Sequence, residues 1–150
     1  MEIIVIHIRR PVPEGYTLIY VGRAMPGQAG SPLGNPLPAI GARWTDEATW
    51  WTAFLQQSRQ SATRAAAEQA ARARGYVQGD AAALYREVLR HQCVTDTPQF
   101  REVMRLARRV AAGEALALAC WCAPAKACHA EVIREAILGF ARRLSDRATG

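Results

Sequence analysis

The chain has 150 residues, of which 50% are hydrophobic and 21% charged, and this length and composition suit one globular domain with a single core. No apolar run approaches the roughly 20 residues that a membrane span requires. The first residues also lack the basic region and cleavage site of a secretory signal peptide, so we expect a cytoplasmic protein. In that compartment the four cysteines are expected to be thiols or ligands before disulfides.

The chain is basic, with a formal net charge of +6, and Lys126 is the only lysine among its 19 basic residues. Such a balance favours a polyanion or a phosphorylated ligand over an acidic protein partner. A chain rich in arginine and alanine also arises from a GC-rich genome with solvated helix faces, and charge alone specifies no site. A basic face, if formed, begins at Arg59, Arg64, Arg72 and Arg74.

Two strands are predicted at the start of the chain. Residues 2–9 form a short β-branched apolar run that suits a sheet interior, and residues 16–22 are rich in residues that favour strands. The connection Arg10–Gly15 is short, which favours an antiparallel neighbour over a crossover connection.

Residues 24–43 are predicted to form an ordered binding loop. They contain four glycines and four prolines, and long loops in compact domains are commonly functional or disordered. The stretch Pro32–Pro36 is expected to be fixed, because proline locks φ while Gly34 and Asn35 tolerate positive φ.

A helix is predicted next, with Thr45 as its N-cap and Gly75 after its last residue, Arg74. Trp50 and Trp51 belong to an apolar face repeated at helical spacing. That spacing is more typical of core residues than of a platform for stacking bases.

Three further elements and a last helix complete the chain. Helices are predicted over Asp80–Arg90 and from Thr97-Pro98 to Gly113, followed by a short apolar strand at Ala115–Cys120. The last helix has a strong amphipathic pattern, and residues 147–150 are expected to form a frayed tail. The order predicts one compact α/β domain over residues 1–146, with a small mixed sheet of three strands or slightly more, flanked by helices.

The segment LACWCAPAKACH contains three of the four cysteines and one of the three histidines. If the strand continues to Cys122, then Cys120 and Cys122 share one face and Trp121 points to the other. Cys128 and His129 then lie at the start of the last helix, beyond the carboxyl end of a strand. Open α/β sheets bind ligands at this position.

A helix N-terminus stabilises anions and lowers the pKa of a thiol, and Lys126 would add to both effects. Cys128 is therefore the predicted reactive thiolate, with Cys122 as its partner and His129 as a nearby acid or base.

Two other interpretations of this segment remain open. Cys120, Cys122, Cys128 and His129 offer suitable zinc ligands, although C-x-C-x5-C-H is not a standard zinc spacing. Alternatively, the cysteines fill tight space at the end of a buried strand. No cofactor is expected if the thiols are reactive, and zinc is the cofactor if these residues bind a metal.

The first half of the chain supplies most of the matching ligand-binding residues, and Trp121 and Lys126 of the cysteine-rich segment complete them. A Gly-Arg pair after a strand lets the backbone approach a ligand, and the guanidinium can bind a phosphate or carboxylate through two hydrogen bonds. Equally, Arg23 and Asn35 could hold the loop in place by hydrogen bonds. The predicted ligand-binding residues are Gly22, Arg23, Ser31, Gly34, Asn35, Trp121 and Lys126.

The two blocks YVGR…SPLGNP and CWCAP…CH resemble the family catalogued as domain of unknown function 4326. The resemblance is carried by Gly22, Arg23, Leu33, Gly34, Asn35, Pro36, Cys120, Trp121, Cys122, Pro124, Cys128 and His129. The chain departs from the family pattern at Leu37, where phenylalanine is usual. The resemblance implies where the site lies more than which activity it has. Members of the family occur in phage and bacterial genomes, so the resemblance also favours nucleotide or nucleic-acid substrates.

Three functions are compatible with these observations. The first is a thiol-dependent enzyme that acts on a nucleotide, nucleobase or nucleic acid. The second is a non-catalytic nucleic-acid-binding module, with or without zinc, that contacts phosphates through its arginine-rich helices. A redox protein that uses Cys120 and Cys122 ranks last, because a C-x-C pair forms only a strained loop.

Overall fold

The computed structural model describes residues 1–121 and 128–149. Its sheet has three strands, β1 (Glu2–His7), β2 (Tyr16–Tyr20) and β3 (Ala115–Cys120), in the order β1-β3-β2. The α/β class and the third strand are confirmed. β3 is apolar throughout and buried on both faces. Such a strand suits the central position, where it pairs with a neighbour on each side.

The predicted antiparallel pairing of the first two strands is wrong, and the sheet formed by the described residues is parallel rather than mixed. Both β1 and β2 pair in parallel with β3, with His7 opposite Cys120 and Tyr20 opposite Ala119. The eight residues that connect β1 to β2 can cross β3, because extended chain spans about 3.3 Å per residue. Their two prolines favour such an extended path.

The two faces of the sheet are covered differently. Leu116 and Leu118 point into the main core, which the helices complete, whereas Ala117 and Ala119 belong to a small cluster on the opposite face. Ile8, in the connection between β1 and β2, packs on that second face. Alanine side chains leave room for the connection to pass close to β3.

Five helices surround the main core in the described part of the chain. They are α1 (Asp46–Leu55), α2 (Ser61–Ala73), α3 (Gln78–Gln92), α4 (Pro98–Ala111) and α5 (Ala130–Thr149). None is long and apolar enough to span a bilayer.

The local signals for the helix ends are confirmed. The hydroxyl oxygens of Thr45 and Thr97 accept hydrogen bonds from the backbone N–H groups of Ala48 and Phe100, so both residues cap their helices. Gly113 follows α4 with a φ of +102°. Residues 147–149, expected to fray, are part of α5.

The predicted single helix from Thr45 to Arg74 is instead two helices. The Ser58 hydroxyl accepts a hydrogen bond from the Gln60 N–H, and the Ser58 carbonyl accepts one from Arg64. Glu87 of α3 in turn accepts hydrogen bonds from Ser58 and Thr63. The local bonds offer the backbone an alternative to continuous helix. The two bonds to Glu87 are tertiary contacts with no local sequence signal.

The two tryptophans in α1 differ in burial. Trp51 is 6% exposed and belongs to the core, as predicted, whereas Trp50 is 56% exposed. The rings of Trp50 and Phe54 are stacked with their centroids 5.9 Å apart. The prediction of a core position is therefore wrong for Trp50.

Candidate functional site

A cleft of about 290 Å³ opens at the carboxyl ends of β2 and β3. This edge of a parallel sheet is where α/β proteins bind ligands, and it is the position that the sequence predicts. The cleft is lined by Tyr20, Gly22, Arg23, Met25, Asn35, Leu37, Ala39, Gln78, Ala81, Ala82, Cys120, Trp121 and His129. Five of these residues, Gly22, Arg23, Asn35, Trp121 and His129, belong to the predicted site.

Arg23 spans the loop that forms one wall of the cleft. Its Nε donates a hydrogen bond to the Asn35 carbonyl, and its Nη2 donates one to the Leu37 carbonyl, both at 2.7 Å. Partial burial lowers the pKa of Arg23, and the nearby Glu47 carboxylate opposes that shift. A guanidinium has five N–H donors, so these two bonds leave donor capacity for a ligand in the cleft.

Asn35 fixes the same loop to α3. Its Nδ2 donates to the Ala81 carbonyl at 2.9 Å, and its Oδ1 accepts from the Leu37 N–H at 3.0 Å. The residue is 8% exposed. Loop fixation, the alternative interpretation of the sequence, therefore accounts for the side-chain amide of Asn35, and for part of the guanidinium of Arg23.

Two other predicted residues of the loop, Ser31 and Gly34, lie away from the main cleft. They line a neighbouring depression, which Arg23 and Asn35 also border. The Ser31 hydroxyl accepts a hydrogen bond from the Leu33 N–H. At Gly34 an added Cβ would come within 3.2 Å of the Gly22 carbonyl oxygen, so glycine lets the loop pack against the end of β2.

His129 is a buried titratable group of the main cleft, with 8% of its surface exposed. Its Nε2 lies 2.8 Å from the Val21 carbonyl oxygen. Because a carbonyl only accepts, Nε2 carries the proton and Nδ1 keeps a lone pair. Burial lowers the pKa of His129, and the charge of Arg23 lowers it further, against the opposing effects of the Val21 carbonyl and Cys120. The ring is therefore neutral at pH 7 and can accept a proton.

Cys120 and Cys128 lie side by side behind His129. Their Sγ atoms are 2.7 Å apart, and the N–H of Ala130, the first residue of α5, lies 3.4 Å from the Cys128 Sγ. Nδ1 of His129 is 3.8 Å from the same sulfur. Cys120 lines the cleft, whereas Cys128, which is 7% exposed, is not among the lining residues.

Two predicted site residues, Cys122 and Lys126, lie outside the described residues. Residues 1–121 and 128–149 contain no group of three or more His, Cys, Asp or Glu side chains arranged to hold a metal. The zinc alternative includes Cys122, so these residues do not test it.

Trp121 lies at the mouth of the cleft and is 39% exposed. The His7 ring meets it edge-on with centroids 5.7 Å apart, and the Arg9 guanidinium lies 5.0 Å from the centroid of the Trp121 ring. These contacts orient the indole while leaving part of it accessible.

Sequence reasoning missed the wall that α3 contributes. Gln78 opens this helix, and Ala81 and Ala82 follow one turn later along the cleft. No local pattern marks these residues, because only the packing of α3 against the loop brings them to the sheet edge. Tyr20, which belongs to the block YVGR singled out in the sequence, donates from its hydroxyl to the Arg23 carbonyl at 2.6 Å.

Comparison with known proteins gives one result on the family and none on function. No curated protein and no solved structure matches the chain. The family described as "Domain of unknown function (DUF4326)" matches residues 7–139, a range that includes both walls of the cleft. The chain therefore belongs to the DUF4326 family.

Proposed function

We propose that the cleft binds a small phosphorylated or nucleobase-containing ligand, a nucleotide or part of a nucleic acid, and that the protein acts on it as an enzyme. The observation that carries the proposal is the convergence of a guanidinium, an accessible indole and a neutral buried imidazole in one cleft. These groups belong to Arg23, Trp121 and His129. Small-molecule sites combine an apolar wall with a few convergent polar groups in this way.

The anionic part of the ligand would lie against Arg23 and the start of α3. Arg23 retains donors beyond its two bonds to the loop, and arginine binds phosphate through paired N–H groups. The N-cap of α3, Val77, makes no side-chain hydrogen bond to the first turn. Its first-turn N–H groups and the positive end of the helix dipole would attract an anion, against the negative charge of Asp80 in the same turn.

The aromatic part of the ligand would stack on Trp121. Every nucleobase has a π-face, and stacking on an aromatic side chain contributes about 1–3 kcal/mol per base. The volume of about 290 Å³ suits a nucleobase or a mononucleotide rather than a larger cofactor.

His129 would serve as the general base. Its hydrogen bond to Val21 fixes the tautomer that leaves Nδ1 unprotonated, and burial keeps the ring neutral. The thiol nucleophile that the sequence predicts would come from Cys128 or Cys122. Since Cys120 lines the cleft and touches Cys128, we add Cys120 to the candidate thiols.

A binding experiment with a matched pair of tryptophan variants tests this proposal. Isothermal titration calorimetry would compare nucleobases, nucleosides and nucleoside monophosphates on the wild type, Trp121→Ala and Trp50→Ala. Both indoles are exposed, but only Trp121 lines the cleft. We expect at least one ligand to bind the wild type and Trp50→Ala, with affinity about tenfold weaker or more in Trp121→Ala. Absence of binding across the panel would contradict the proposal.

The second candidate function is a non-catalytic nucleic-acid interface along α2. In the described residues the ion pairs engage Arg86, Arg101, Arg105 and Arg109. The arginines around α2 make other contacts instead: Arg64 donates to the Ser58 carbonyl, Arg72 to the Gln69 side chain, and Arg74 lies over Trp44. Their charge is therefore not neutralised by a partner carboxylate in this part of the chain.

Salt dependence distinguishes this second function. Binding to single-stranded or duplex DNA should weaken steeply with added salt, and an Arg59→Ala, Arg72→Ala variant should reduce the slope by about two. The matched control is Arg101→Ala, Arg105→Ala, which removes the same charge from ion-paired positions on α4. Equal effects of the two double variants would contradict an interface on α2.

A further inference from the structure

We propose that Cys120 and Cys128 form a reversible disulfide when the protein meets hydrogen peroxide, so that the inner wall of the cleft is a redox modification site. The proposal rests on the positions of the two thiols and holds whichever ligand the cleft takes. This pair differs from the C-x-C pair of Cys120 and Cys122, because Cys128 is eight residues from Cys120.

The two sulfur atoms are already in contact. Their separation of 2.7 Å is shorter than the 3.5–4.0 Å or so at which two non-bonded carbon atoms make their best contact. A disulfide bond brings sulfur atoms to about 2.05 Å. The two sulfurs therefore need only a small approach to form a disulfide.

Secondary-structure elements on either side of this contact fix the positions of the two cysteines. Cys120 is the last residue of β3, the central strand, and Cys128 lies two residues before the start of α5. Both are buried among core residues, at 1% and 7% exposure. Such a pair loses little conformational freedom when it is linked, because the elements that hold it are already packed.

The oxidant has a route to one of the two sulfurs. Cys120 lines the cleft, and hydrogen peroxide is small enough to enter a space of about 290 Å³. The Ala130 N–H donates towards the Cys128 Sγ at the start of a helix, which favours this sulfur as the attacking thiolate of the second step. Nδ1 of His129, at 3.8 Å, can accept its proton.

The chemistry balances with one peroxide. The Cys120 thiolate attacks one peroxide oxygen, the O–O bond breaks, and a sulfenic acid forms as hydroxide leaves. The Cys128 thiolate then attacks the Cys120 sulfur, the S–S bond forms and the S–O bond breaks, releasing a second hydroxide. The two thiol protons convert the hydroxides to water, so two thiols and one peroxide give one disulfide and two waters.

Cys93 provides the internal control. It lies at the end of α3, half-buried, in a separate groove that α5 also lines. Burial raises the pKa of its thiol. Among the described residues no second cysteine lines this groove, so Cys93 has no neighbouring thiol there with which to form a disulfide. We therefore expect peroxide to link Cys120 and Cys128 while Cys93 remains a thiol.

Peptide mapping of the full chain tests the proposal. After peroxide treatment, the remaining thiols are blocked with iodoacetamide and the protein is digested with trypsin. Cleavage after Lys126 separates peptide 110–126, which contains Cys120 and Cys122, from peptide 127–134, which contains Cys128. Cys93 falls in peptide 91–101. We expect peptides 110–126 and 127–134 to become linked, the link to be lost with dithiothreitol, and Cys93 to remain alkylated.

Two serine variants identify which cysteine of peptide 110–126 is linked to Cys128. It should persist in Cys122→Ser and disappear in Cys120→Ser. A link that disappears in Cys122→Ser, or a loss of two hydrogens within peptide 110–126, would overturn the proposal. So would oxidation of Cys93 at the same rate, or stoichiometric zinc that protects the thiols of the wild type. Since the wild type and Cys122→Ser each give a decisive result, the test does not depend on the folding of Cys120→Ser.

Discussion

His129 donates a hydrogen bond from Nε2 to the backbone carbonyl of Val21, and this 2.8 Å bond joins residues 108 positions apart. Val21 directly follows β2 and precedes the Gly-Arg pair, while His129 directly precedes α5. The two sequence blocks on which the family resemblance rests are therefore linked through one buried imidazole. The bond also fixes the tautomer on which the proposed chemistry depends.

The stability of the protein should depend on the protonation of His129. Burial lowers the pKa of His129 in the folded state below its ordinary value of 6.5, so the unfolded chain binds the proton more readily. The free energy of unfolding should therefore fall as the pH drops below about 6.5, by at most about 1.4 kcal/mol per pH unit, until the folded-state pKa is reached. Above pH 6.5 this contribution is fully present.

Urea denaturation of the wild type and His129→Gln between about pH 7 and pH 5 measures this effect. We expect the variant, whose amide can still donate to Val21, to have a flatter pH dependence. His91→Gln, which removes an exposed histidine, serves as the control and should keep the wild-type slope. A slope in His129→Gln as steep as that of the wild type would show that another group is responsible.

Asn35→Ala should destabilise the protein by roughly 2–4 kcal/mol, because it leaves the buried Ala81 carbonyl and Leu37 N–H without their partners. Chemical denaturation measures the change. Gln28→Ala is the matched control: it removes an amide from the same loop whose only described side-chain bond goes to the adjacent Ala29 carbonyl. It should cost less than about 0.5 kcal/mol. Similar losses for both variants would refute the anchoring role of Asn35.

Tyr85→Phe should cost about 1–2 kcal/mol, since the Tyr85 hydroxyl donates a buried hydrogen bond to the Leu33 carbonyl at 2.7 Å. The ring itself, which meets His129 edge-on, would remain. Tyr16→Phe removes an exposed hydroxyl that bonds to Glu2 and should be nearly neutral. Denaturant midpoints of the wild type and the two variants measure these changes. If Tyr85→Phe leaves the midpoint unchanged, the loop does not need the bond to Leu33.

Arg23→Lys separates the two roles of this residue. Lysine keeps the charge but cannot span the Asn35 and Leu37 carbonyls or form a paired contact with phosphate. If Arg23 binds phosphate, affinity for a nucleoside monophosphate should fall about tenfold or more, while affinity for the corresponding nucleoside changes little. Titration calorimetry with both ligands provides the comparison. Equal losses would mean that Arg23 acts only by holding the loop.

The sequence predicts those parts of the fold that local chemistry determines. Thr45 and Thr97 cap helices because hydroxyl oxygens accept from nearby N–H groups, and the apolar run of β3 requires burial. The break between α1 and α2 was not predicted because Glu87 stabilises it from α3. The parallel pairing of β2 was missed because a short connection of extended chain crosses the central strand.

The candidate site likewise contains residues that the sequence marks and residues that it does not. Arg23, Asn35, Trp121 and His129 stand out in the sequence and meet in the cleft. Gln78 has no sequence signal, because it reaches the site only through the packing of α3. The contact between Cys120 and Cys128 likewise depends on where α5 begins relative to the end of β3. The sequence groups these cysteines and predicts Cys122 as the partner of Cys128, but Cys122 lies outside the described residues.

The most direct test of the proposed function is to map ligand binding by amide chemical-shift changes in the ¹⁵N-labelled wild-type protein, titrated with nucleoside monophosphates. We predict saturable shifts at residues that line the cleft, namely Gly22, Arg23, Gln78, Trp121 and His129. The amides of α2 and of the groove between α3 and α5 should not move. Shifts confined to α2, or no shifts with any nucleotide, would contradict a ligand site at the carboxyl ends of β2 and β3.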